Sequence, residues 1–99
     1  MQAHYPFLFE REMGCTAAQL RDWLPDASGN RRIDWHECGA CLELGGGNVS
    51  ISWQECEPRR IALIALPRLR VHFEAARVDG PSWQRFMRYF DLHTQRGGG

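Results

Sequence analysis

The sequence predicts an α+β domain of two layers, an antiparallel sheet of four or five strands carrying two helices on one face. Three observations predict it. Val49, Ile51 and Trp53 alternate with Ser50, Ser52 and Gln54, the period-two pattern of a half-buried strand. Trp83, Phe86, Met87 and Phe90 fall at i, i+3, i+4 and i+7, which is one face of a helix. Gly45-Gly46-Gly47-Asn48 separates two strand-like runs, and such residues accept the positive φ of a tight hairpin. The expected order is β-α-β-β-β(-β)-α, in one domain over residues 1–96.

Each element has its own signal. Tyr5, Phe7 and Phe9 alternate along a first strand with an aromatic inward face, and Gly14 ends it. Thr16 and Gln19 make a capping box ahead of Leu20, Trp23 and Leu24. Pro25 is expected to stop that helix near Leu24, because an internal proline loses a hydrogen bond and clashes with the preceding turn. Ser28-Gly29-Asn30 forms the bend. Ile33 and Trp35 then alternate with Asp34 and His36, and Gly39 marks a bulge that moves the inward face to Ala40, Leu42 and Leu44.

Beyond the hairpin, Glu57-Pro58 closes the strand of Val49 to Trp53. Ile61 to Leu66 is apolar on both parities, as for a strand buried on both faces. Leu69, Val71 and Phe73 alternate with Arg68, Arg70, His72 and Glu74, a half-exposed strand. Pro67 lies between the two patterns and belongs at a bulge, an edge or a tight connection. Asp79-Gly80-Pro81 opens the last helix. The expected core is Phe7, Phe9, Leu20, Trp23, Leu24, Ile51, Trp53, Ile61, Leu63, Val71, Phe73, Phe86 and Phe90.

Composition bounds the class of protein. With 43% hydrophobic and 24% charged residues in 99, the chain is neither disordered nor fibrous. Its longest aliphatic run, Ile61 to Leu66, is far too short to span a membrane. The first eleven residues lack the basic start and apolar stretch of a secretory signal, so a cytoplasmic location is expected. Four cysteines beside four tryptophans do not describe a disulfide scaffold. All 12 basic residues are arginine, a better planar partner for carboxylate or phosphate than lysine. Net charge is zero, yet it is polarised. Residues 1–57 carry four arginines against nine acids, a net of −5, and residues 58–99 carry eight against three, a net of +5.

No catalytic signature is present. G-x-S-x-G, H-E-x-x-H and a phosphate loop are all missing, so no enzyme activity and no cofactor are expected. Cys38 and Cys41 have zinc-knuckle spacing, and His36 and Cys56 would complete a tetrahedron. Against zinc, the chain continues as strand through Leu42-Glu43-Leu44 with no second knuckle, so reduced cysteines are the expected state. A redox pair would need a helix after Cys38, and none follows. Arg68, Arg70 and His72 share one strand face, and Arg85 and Arg88 lie on the last helix; together they are the candidate contacts for an anion or a partner. Gly97-Gly98-Gly99 resembles the glycine tail of ubiquitin-like and sulfur-carrier proteins, in those three residues alone. That tail leaves a strand in the family and follows a helix here, so a flexible end is the expectation.

These signs favour a small non-enzymatic protein-interaction domain, most simply a homodimer. The alternative is an arginine-mediated binder of RNA or another anionic ligand, and the third reading is a zinc protein built on Cys38 and Cys41.

Overall fold

A computed structural model describes residues 4–94 of the chain. The elements run β1 (Leu8–Met13), α1 (Ala17–Ala27), β2 (Asp34–His36), β3 (Gly39–Leu44), β4 (Gly47–Ile61), β5 (Ile64–Ala76) and α2 (Gly80–Thr94). Five strands form one antiparallel sheet in the order β1-β5-β4-β3-β2. The class is α+β and the element order is the one the sequence predicts. The candidate tail Gly97–Gly99 lies outside the described residues.

Period two sorts the sheet into a lined face and an open one. Met13, Leu42, Leu44, Val49, Ile51, Trp53, Leu69, Val71 and Phe73 are buried beneath the helices. Against them α1 sets Leu20, Leu24 and Ala27, and α2 sets Trp83, Phe86, Met87 and Phe90. The opposite face of β1, β4 and β5 has no helix over it among the described residues. Gly45 (φ 54°) and Gly46 (φ 82°) make the two-residue β3–β4 turn that their composition requires. Gly47 follows because a Cβ there would sit 2.3 Å from the Ala76 carbonyl oxygen.

Both helix starts follow the sequence. Thr16 Oγ1 accepts from the Gln19 amide at 3.1 Å, while Gln19 Oε1 accepts from the Thr16 amide at 2.9 Å. Asp79 Oδ2 accepts from the Ser82 amide at 2.9 Å and caps α2.

Five expectations need correction. Glu57-Pro58 does not close β4, which runs on to Ile61 because beyond the register shift between Cys56 and Arg59 it pairs with β5 again. α1 runs through Pro25 to Ala27. Proline is tolerated so close to the end because the Leu24 and Pro25 carbonyls accept from the Ser28 and Asn30 amides, both at 2.8 Å, and Leu24 and Ala27 are buried. Gly39 is not a bulge; it pairs with His36 to close a tight β2–β3 hairpin. Phe7 is 47% exposed, and Tyr5 takes its place in the core. Phe7 precedes the ladder, so alternation does not fix it, whereas Gln84 clasps the Tyr5 backbone in both directions (2.9 and 2.7 Å). Ile61 and Leu63 are not buried. They end the β4–β5 hairpin where no other strand or helix of the described residues reaches.

Candidate functional site

The β4–β5 hairpin outgrows the sheet. β1 stops pairing with β5 at Leu69, and β3 begins pairing with β4 at Ser52. Past these points, among the described residues, the strands pair only with one another, through a register shift between Cys56 and Arg59, to a turn at Ala62 (φ 54°) and Leu63. The result is a two-stranded arm on a molecule 47 Å long and 21 Å thick. Each strand of the arm carries a proline, Pro58 or Pro67, without an N–H to offer a further strand.

The arm's chemistry is concentrated at its tip. Leu63 is fully exposed, and Ile61, Ile64 and Leu66 are 54%, 61% and 43% exposed. Residues directly opposite in a ladder share a face. Ile61 is opposite Ile64 and Arg59 opposite Leu66, so the apolar residues group together, while Arg60 and Ala65 take the reverse face.

Along β5 the same face continues into Arg68, Arg70, His72 and Glu74, flanked on β1 by Glu12, Glu10 and Leu8. Carboxylates already occupy part of it. Arg68 Nε donates to both Glu12 oxygens at 3.1 and 3.0 Å, and its Nη1 donates to the Glu57 carbonyl at 3.2 Å. His72 lies 3.5 Å from Glu10 and 3.9 Å from Glu74. The hydrogen bond from Arg68 holds the Glu12 carboxyl below its ordinary value of 4.5, with Arg68, Arg59 and Arg70 adding charge. A lowered folded value means this contribution is present above the unfolded pKa and fades as pH falls through the folded one. We expect Arg68→Ala to return Glu12 to the ordinary carboxylate range; an NMR titration in which Glu12 does not move would refute the pairing.

Of the sequence candidates, Arg68, Arg70 and His72 come together on the open face. Arg85 and Arg88 do not join them. They lie on α2, across the sheet, where Arg85 donates to Ser82 Oγ at 3.3 Å. The metal candidates also remain apart: His36 lies on β2, Cys38 in the following turn, Cys41 on β3 and Cys56 on β4. Cys41 meets Ser50 and Cys56 meets the Gln54 carbonyl, each at 3.8 Å. No group of three or more His, Cys, Asp or Glu side chains is placed to hold a metal among the described residues. Cys15 is buried, which pushes its thiol pKa up, away from nucleophilic use.

Two arginine clusters escape a sequence reading. Arg21 lies between the rings of Trp35 (5.1 Å) and Trp53 (5.3 Å) and donates to the His36 and Glu37 carbonyls, tying α1 to the β2–β3 turn. Arg11 pairs with buried Asp91, which also accepts from the Tyr5 hydroxyl, and its guanidinium lies over Phe73 and Phe90. Both are structural clamps.

No described helix is long and apolar enough to cross a membrane. No family model, curated protein or solved structure matches the chain.

Proposed function

We propose that this chain is a small, non-enzymatic, cytoplasmic protein-interaction module and that the β4–β5 arm is its contact element. One observation carries the reading: four aliphatic side chains, Ile61, Leu63, Ile64 and Leu66, are held in water at the end of the arm. Burying an aliphatic side chain is worth about 1.5–3 kcal/mol, and a contiguous apolar patch marks a contact surface. The arm is also a costly place for such residues unless they are used, since they add nothing to the core.

A photo-crosslinking residue placed at Leu63 in cells should yield discrete protein adducts, while the same residue at exposed Gln19 of α1 should not. Leu63 yielding no more protein adduct than Gln19 would end this reading. The arginine-mediated reading has thinner support. Arg68 and His72 already face carboxylates, and the open-face positions of β1, β4 and β5 include no Phe, Tyr or Trp on which a base would stack.

A further inference from the structure

We infer that the arm's partner is an acidic, amphipathic segment of another protein, laid along the arm's open-side face. The inference rests on the arm being a protein-contact element and adds the partner's chemistry. Its basis is the charge beside the apolar tip. From Pro58 to Arg70 the chain carries four arginines and no acid. Arg68 is already committed, since its Nε donates to both Glu12 oxygens. Arg59, Arg60 and Arg70 are exposed, and their side chains have no hydrogen bond or ion pair among the described residues. Glu12 feels Arg59 and Arg70 at longer range, but it is held by Arg68.

The register puts this charge on the same face as the aliphatic side chains. Ile61 is opposite Ile64 and Arg59 opposite Leu66, and the alternation of β5 carries that face inward to Arg70. A partner that covers Leu66 therefore covers Arg59 as well. A guanidinium taken out of water without an acceptor costs more than one aliphatic contact returns. The partner must bring acceptors, and Glu12 shows which kind this face takes: a carboxylate whose two oxygens both meet an arginine.

Length and edges give the segment its form. The six steps from Ile64 to Arg70 span about 20 Å at about 3.3 Å per residue. A helix of about 13 residues has that length. Pro58 and Pro67 disfavour strand addition at the arm's edges, which leaves its side-chain face to make the contact. Other occupants fit less of the surface. An RNA would gain the arginines, leave the aliphatic tip in water and find no ring on which to stack. A bilayer is anchored at its interface by Trp or Tyr, and Pro58 to Arg70 has neither. A second copy's arm laid on the first would set arginine against arginine.

The test extends the crosslinking at Leu63. The partner peptide joined to the arm is sequenced by mass spectrometry. It should carry more Asp and Glu than Lys and Arg, around aliphatic residues at helical spacing. Arg59→Glu with Arg70→Glu should cut the adduct yield at least about tenfold. Arg59→Gln with Arg70→Gln should cut it less, and Arg88→Glu on α2 should leave it unchanged. Circular dichroism reports whether each variant folds. The sequenced peptide, made synthetically, should bind the purified wild-type chain, and more weakly as salt rises. A neutral or basic peptide, a yield indifferent to the arginines, or an adduct to another copy of this chain overturns the inference. In those cases the arm's contact role stands. Phosphatidylserine vesicles or a short RNA binding the chain more tightly than the peptide does would also overturn it. No adduct above the Gln19 control removes the contact role and the inference together.

Discussion

Replacing Asp91 by alanine is expected to lower stability by about 3–5 kcal/mol, the usual cost of removing one partner from a buried ion pair. Asp91 is 2% exposed and receives Arg11 through both terminal guanidinium nitrogens, together with the Tyr5 hydroxyl. Its loss leaves a guanidinium facing Phe73 and Phe90 and deprives a buried phenol of its acceptor. The pair joins β1 to α2, elements 80 residues apart in sequence, so the damage is to the whole fold and not to one helix. Urea unfolding of Asp91→Ala should show the midpoint falling at unchanged slope. Combining Asp91→Leu with Arg11→Met should recover much of the loss, because two apolar residues leave no orphaned charge. A single variant within about 1 kcal/mol of the parent would show that the pair is not a clamp.

Phe90→Ala should cost a similar amount, about 3–5 kcal/mol, through a cavity at the centre of the two-layer contact. Phe90 is fully buried, stands edge-on to Phe73 with centroids 5.4 Å apart, and Phe73 stacks on Phe9 at 4.9 Å. Thermal unfolding followed by calorimetry checks it. Because Arg11 lies over Phe90 and also pairs with Asp91, the two losses should not add, and the double variant should fall short of their sum. Strict additivity would mean that the ring and the ion pair act independently.

The arm and the clamp make separable demands on the molecule. Asp91 and Phe90 lie on the helix side of the sheet, and the strip from Ile64 to Glu74 lies on the open side. Changes to Ile64 or Leu66 should therefore alter the arm's contacts while leaving the unfolding midpoint of the isolated chain almost unmoved.

Much of the architecture is legible one element at a time. The capping box at Thr16, the two glycines of the β3–β4 turn and the helical stripe from Trp83 to Phe90 are local rules acting on neighbouring residues. The alternation of Leu69, Val71 and Phe73 with Arg68, Arg70 and His72 likewise places the three basic candidates on one face before any partner strand is known. Pro25 misleads because only the helix's position in the fold tells that it falls in the last turn, where buried Leu24 and Ala27 hold the chain.

The candidate site was the least legible part. An apolar run on both parities reports hydrophobicity, and hydrophobicity alone cannot say whether a second layer arrives to cover it. Ile61 to Leu66 has the composition of buried strand and lies in water, because β1 pairs no further than Leu69 and β3 begins only opposite Ser52. The paired arginines and prolines on either side, Pro58-Arg59-Arg60 and Pro67-Arg68, are the one local hint of a ribbon with exposed edges. The Arg11–Asp91 and Arg21–Trp clusters had no local hint, since their members are scattered through the chain.

By itself the sequence determined the fold class, the order of the elements, the lined face of the sheet and the polarity of charge along the chain. These follow from forces between residues a few positions apart: backbone hydrogen bonding, capping and the period of burial. Only the tertiary structure decided where the sheet ends, which arginines meet carboxylates, and that Arg85 and Arg88 lie across the sheet from Arg68 and Arg70. Those outcomes depend on strand register and layer coverage, and both arise from contacts between distant residues that no local pattern encodes.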